Sequence, residues 1–174
     1  MSTPDARLRP GHPPGDWESL ARAAAAPAGD EEASLLRELL AFELDGAPYA
    51  IPVERVREIV RTRAMTPVPR VPDAVRGVIA LRGEILEVID LRLRLGLPVH
   101  EPDRRSRIVV LHGEDGRVAG LLVDAVTEVL RMPEASIRPT SPGESESVTA
   151  LCARDGRFVS LIDLERVLDL DADA

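Results

Sequence analysis

The residues of this chain that could carry covalent or metal chemistry are few and scattered. Its three histidines, His12, His100 and His112, have no cysteine, histidine or carboxylate at metal-ligand spacing, so they read as solvated surface residues. The single cysteine, Cys152, lies inside an apolar run with no histidine near it in sequence. That setting suits a small buried side chain better than a nucleophile, which needs an adjacent base or cation. Asp115-Gly116 and Asp155-Gly156 are turn dipeptides, and no glycine-rich phosphate loop follows an apolar run. Asp169, Asp171 and Asp173 alternate near the C-terminus without the ligand loop of a calcium site. Ser141–Ser147 (SPGESES) reads as a polar loop. No catalytic residue, cofactor-binding residue or metal ligand is expected, and the chain reads as non-enzymatic.

Composition narrows the remaining classes. The 174 residues carry a net charge of −8 and are only 2% aromatic, namely Trp17, Phe42, Tyr49 and Phe158. Such a protein lacks both the positive field and the stacking platforms of nucleic-acid binders. One cysteine allows no internal disulfide, and no apolar run approaches bilayer-spanning length, so a cytoplasmic location without direct membrane insertion is expected. With so few rings, the core must be built from Leu, Val and Ile, and the β-branched pair favours strands.

The elements repeat. Val75–Leu95 (VRGVIALRGEILEVIDLRLRL) holds two apolar runs around Arg82-Gly83, which predicts a hairpin with Arg82 at its tip. Asp90 is placed to cap a short helix through Leu91, Leu93 and Leu95. Ala150–Leu170 carries the same phrase: an offset of 73 residues takes Asp90 to Asp163 and Gly83 to Gly156. Upstream, an offset of 70 takes Asp45-Gly46 to Asp115-Gly116, Val56 to Val126, Glu58 to Glu128 and Arg61 to Arg131. Four matches in one order mark an internal duplication.

Residues 1–34 are rich in proline and glycine and read as a disordered arm, with one short helix expected from Asp16 to Pro27. From Leu35 onward each half offers about five short strands, with a link at His100–Ser106. Pro48 and Pro52 demote the second strand to an edge or a bulge. Val53–Val60 fits either a helical turn passing into a strand or one irregular strand. Met65–Pro72, with three prolines, reads as a stiff extended loop, and Pro133–Ser147 as a second, polar loop. The fold expected is all-β, with a first barrel over about 35–100 and a second over about 105–170 that share a core. Two related barrels side by side leave a groove lined by the matched Val56-Glu58-Ile59 and Val126-Glu128-Val129. Apolar residues among charged ones there suit a partner helix, or the valines simply form the core that joins the halves.

Four stretches in one order, GVIALRGEILEVIDLR, VAGLLVDAVTEVLRM, SIRP and LIDLERVL, resemble the CheW family of chemotaxis coupling proteins, over Leu35 to about Leu170. The domain is also similar to the regulatory domain of the histidine kinase CheA, but no kinase or phosphotransfer stretch occurs here. The resemblance implies two five-stranded SH3-like barrels around a shared hydrophobic core, with short helices. It implies an adaptor that joins the cytoplasmic tip of a methyl-accepting chemoreceptor to a CheA-type kinase, the receptor tip lying in the groove. It further implies that Glu58 pairs with Arg82 and that Val56, Gly77, Val126 and Val129 contact the receptor. No position for the kinase interface is assigned. Two positions depart from the family pattern: Ala80 where Asn is usual and Glu87 where Pro is usual. The alternative they raise is a specialised scaffold of a parallel motility or developmental pathway that binds one partner only.

Overall fold

The computed structural model describes residues 35–141 and 146–170. The proline-rich arm, the expected helix with Trp17, Asp171, Asp173 and the tip of the SPGESES loop lie outside the described residues. The described residues belong to one compact unit.

The first half runs β1 (Leu36–Leu44), β2 (Ala47–Pro52), a 3-10 turn (Val53–Arg55), β3 (Val56–Arg61), β4 (Val75–Leu81), β5 (Glu84–Asp90) and α1 (Leu91–Arg94). Of the two readings of Val53–Val60, the turn passing into a strand is therefore the one adopted. The second half repeats the order: β6 (Arg107–His112), β7 (Val118–Val123), β8 (Ala125–Pro133), a 3-10 turn (Glu134–Ser136), β9 (Ile137–Pro139), β10 (Val148–Arg154), β11 (Arg157–Ile162) and α2 (Leu164–Leu168). Three hairpins turn through residue pairs that both have positive φ, at Asp45-Gly46, Arg82-Gly83 and Asp155-Gly156. That turn matches the twist of the flanking strands. Asp and Gly enter this region easily. Arg82 is the unusual occupant. Asp90 caps α1 as expected, accepting from the Arg92 and Leu93 amides, and Asp163 caps α2 through the Arg166 amide.

The strands form two sheets, in the orders β8-β1-β2-β11-β10-β9 and β3-β6-β7-β5-β4. The expected division into barrels at about 35–100 and about 105–170 therefore needs correction. Each sheet draws on both halves, and the opening hairpins are exchanged: β1-β2 joins the second half, β6-β7 the first. The exchange is reciprocal. β2 pairs parallel to β11 at Tyr49–Ser160, as β7 pairs parallel to β5 at Ala119–Glu87. Its physical reason is that the opening strands are apolar on both faces. Leu39 and Ala41 point into one cluster with Leu130, Cys152 and Val159, while Leu40, Phe42 and Leu44 point into another. The second cluster, with Ile89, Leu91, Val109, Leu121, Leu164 and Val167, draws on both halves and is the shared core. The other sheet closes over Ile79, Leu86, Val88, Ile108, Val110 and Leu122.

Two loop expectations also change. The stretch Pro133–Ser147 contains β9, which pairs with β10 from Ile137–Cys152 to Pro139–Ala150, so one sheet has six strands rather than five. β2 is not an edge: it lies between β1 and β11. Its prolines act differently, for the parallel ladder to β11 covers only Tyr49 and Ala50, the residues between Pro48 and Pro52. Within Met65–Pro72, Thr66 exchanges two 2.9 Å backbone hydrogen bonds with Val78 of β4. That bridge carries the chain leaving β3 across to β4, the opposite end of the same sheet.

Candidate partner-binding site

The matched residues of the duplication occupy equivalent places in the fold. β3 pairs with β6 and β8 with β1, and each pairing has a register shift at the same point, between Val56 and Glu58 and between Val126 and Glu128. A bulge of this kind re-aims the side chains beyond it. Val56 and Val126 are half-buried and pack against the same shared core. Ile59 is opposite Val109, and Val129 opposite Leu40, so both lie on sheet faces that turn toward that core. Yet they are 41% and 52% exposed. The valines pack against the core that joins the halves, and the residues beyond each bulge offer apolar surface to solvent.

Glu58 and Arg82 meet. The Arg82 Nε donates to Glu58 Oε1 at 3.0 Å and its Nη2 donates to Oε2 at 3.1 Å, a two-pronged arrangement. Glu58 keeps 18% of its side-chain surface, while Arg82 at the hairpin tip keeps 69%. The Arg82 hydrogen bonds hold the Glu58 carboxyl below the usual carboxylate range, and the same contact raises the Arg82 guanidinium. A second pair that sequence reading missed runs the other way, Arg57 Nη1 donating to Glu84 Oε2 at 2.6 Å. Neighbours on β3 thus grip both sides of the hairpin tip with opposite charges. The signal was present in the alternation Arg57-Glu58 and Arg82-Glu84, but which charge faces which depends on the twist between strands. An exposed ion pair adds little stability; these two pairs fix which donors and acceptors the hairpin tip presents.

Gly77 is buried at the bulge where β4 shifts register against β5, with φ of 146°. A Cβ built there would lie 2.5 Å from the Thr66 carbonyl oxygen, so the bridge to Thr66 demands glycine. Ala80 and Glu87 are both exposed on the same hairpin. The large apolar residue across from Ala80, Ile85, is 77% exposed, and its equivalent in the second half, Phe158, is 70% exposed. Sequence reading missed this pair.

Two polar cross-ties join the halves near the short helices. Arg92, buried on α1, donates from Nε and Nη2 to Asp124 and from Nη1 to the Pro98 carbonyl. Burial would raise the Asp124 carboxyl, but hydrogen bonds from Arg92 and the Asp45 amide hold it below its ordinary value. At the equivalent place on α2 stands Glu165, which accepts from Arg55 at 2.7 Å. The chain has kept the tie and reversed its sign.

Cys152 is buried as expected, its thiol against the Val159 carbonyl and pushed up by burial. His100 and His112 are exposed. Among the described residues no group of three or more His, Cys, Asp or Glu could hold a metal ion, and no helix is long and apolar enough to cross a membrane.

A family model described as a CheW-like domain matches residues 38–172. The chain is 38% identical over 135 residues to "Chemotaxis protein CheW" of Rhizobium meliloti (strain 1021), covering 75% of this chain and 86% of that one. It is 36% identical over 123 residues to "Protein FrzA" of Myxococcus xanthus, covering 70% and 72%. Among solved structures, the scaffolding protein TtCheW from Thermoanaerobacter tengcongensis superposes with a TM-score of 0.72 at 31% identity, covering 78% of this chain and 89% of that chain.

Proposed function

This chain belongs to the CheW family of chemotaxis scaffold proteins, and from that premise we propose that it couples chemoreceptor cytoplasmic tips to a CheA-type histidine kinase. It does so as a non-catalytic adaptor in the cytoplasm and reaches receptor arrays through its partners. The receptor tip, a helical hairpin, lies along the furrow where Val56 and Val126 approach the surface. Ile59 and Val129 provide apolar contact there, and Glu58 with Arg82 presents a fixed pair of charges at one rim. Gly77 acts by shaping the hairpin that carries Arg82.

The observation that carries this reading is the paired exposure of Ile59 and Val129 on faces that otherwise build the shared core. A partner helix buries such a stripe by setting its own apolar face against it. Co-sedimentation of the purified chain with a receptor-tip fragment and, separately, with a kinase regulatory domain tests it. Retention of both is expected, and retention of neither overturns it. A second reading, a specialised scaffold that binds one partner, is favoured by the likeness to Protein FrzA and by Ala80 and Glu87 on the hairpin. Retention of the kinase domain alone selects it.

A further inference from the structure

Where β3 ends and β6 begins, an open cavity of about 560 Å³ is lined by Arg61, Thr62, Pro102, Asp103, Arg104 and Arg107. Arg61 stands directly opposite Arg107 in the antiparallel ladder, so both side chains leave the same face of the sheet. Like charges placed opposite each other cost stability. Three arginines against one aspartate is also an odd balance in a chain whose net charge is −8.

That aspartate serves its own loop. Asp103 Oδ1 accepts from the Arg105 and Ser106 amides at 2.7 and 3.1 Å. Arg107 is held by backbone alone: its Nη1 donates to the carbonyls of Arg104, Arg105 and Ser106 at 2.9, 3.0 and 2.8 Å. Its Nε and Nη2 have no acceptor among the described residues, and the side chains of Arg61 and Arg104 have no hydrogen bond or ion pair there. The site therefore holds a positioned guanidinium with donors to spare and no counter-ion.

The duplication shows what such a place takes. An offset of 70 carries Arg61 to Arg131, and the ladder of β8 with β1 follows the same order beyond its bulge. There the residue opposite the arginine is Glu38, and Arg131 Nε donates to Glu38 Oε1 at 2.7 Å. The second half supplies its own carboxylate across the ladder. The first half has put Arg107 in that position and opened a cavity beside it.

We propose that this cavity binds a carboxylate side chain from an acidic segment of a partner protein. The carboxylate takes the role that Glu38 has beside Arg131, bridging Arg61 and the spare donors of Arg107, with Arg104 adding a third positive charge. The site lies two residues beyond Ile59 on β3, but it takes its ligand through charge and does not rest on the adaptor reading.

The probe is the acetylated and amidated tetrapeptide Ala-Glu-Glu-Ala, titrated into the full chain while backbone amide resonances are followed. Saturable shifts are expected at Thr62, Arg104, Ser106 and Arg107. The same peptide with glutamine for glutamate binds about tenfold more weakly. Arg61→Glu places an acid opposite Arg107, as in the second half, so it abolishes the shifts while the thermal midpoint holds or rises. Arg104→Gln, a change at an exposed residue, weakens binding about threefold. Glu58→Arg, whose side chain leaves the other face of β3, keeps binding within about twofold, so the furrow and this site fail separately. Equal binding of the glutamine peptide, shifts that survive Arg61→Glu, shifts centred elsewhere or no saturable shift would overturn the proposal. So would inorganic phosphate saturating the same resonances more tightly than the peptide, which would make this a phosphate site instead.

Discussion

The two halves share a backbone plan but treat equivalent side chains in two different ways. Where a position feeds the surface beside the shared core, the halves agree: Ile59 and Val129 are both exposed and apolar, and so are Ile85 and Phe158. Where a position carries charge, they diverge. The first hairpin tip is held to β3 by a two-pronged Arg82–Glu58 contact. The second tip has Asp155 in place of Arg82, and among the described residues the equivalent Glu128 is reached only by Arg154, at 3.7 Å. The apolar positions match although they are exposed, so burial in the core is not what keeps them alike. Charged positions at the rims differ between the halves.

The largest effect separates two equivalent bulges. Position 77 is glycine and position 150 alanine, an offset of 73. Gly77→Ala forces a Cβ against the Thr66 carbonyl at a positive φ, and denaturant unfolding should report a loss of about 3 kcal/mol. Ala150→Gly should cost only about 1 kcal/mol through backbone entropy. Similar losses at both positions would remove the asymmetry of the bulges.

The cross-ties come next. Arg92 keeps only 11% of its side-chain surface, so Arg92→Ala leaves Asp124 partly buried without its partner and should cost about 2 kcal/mol. Arg55→Ala breaks the reversed tie to a half-exposed Glu165 and should cost about 0.5 kcal/mol. The pH dependence sharpens this. Asp124 is held below its ordinary value, so its contribution is present above the unfolded carboxylate range and is lost as pH falls through the folded value. Stability should therefore drop on acidification in the native chain, and Arg92→Ala should flatten that drop.

The smallest effect on stability falls at the hairpin tip. Arg82→Asn installs a residue that accepts positive φ more readily than arginine, so the thermal midpoint should hold or rise slightly. Receptor-tip affinity, by titration calorimetry, should fall severalfold because the rim charge is lost.

Much of this was legible in the chain itself. Turn dipeptides, the Asp90 and Asp163 caps and the period of the apolar residues give the hairpins and the short helices, since each is set by neighbours in sequence. The exchange of opening hairpins was not legible. Alternation says that Leu39 and Leu40 face opposite sides, but not which strand covers either side. β9 was hidden because three residues between prolines and a polar loop carry no period. The Glu58–Arg82 contact followed from the family resemblance alone, and the Arg57–Glu84 contact beside it needed the strand geometry.

If the proposed function holds, a receptor helix is gripped at one rim and not at its twin, and a matched pair of charge reversals tests this most directly. With binding to a receptor-tip fragment followed by calorimetry and folding by thermal melting, Glu58→Arg should weaken binding by at least about tenfold with an unchanged melting midpoint. Glu128→Arg should leave binding within about twofold of the native chain. Normal binding by Glu58→Arg, or equal losses from both variants, would contradict the account.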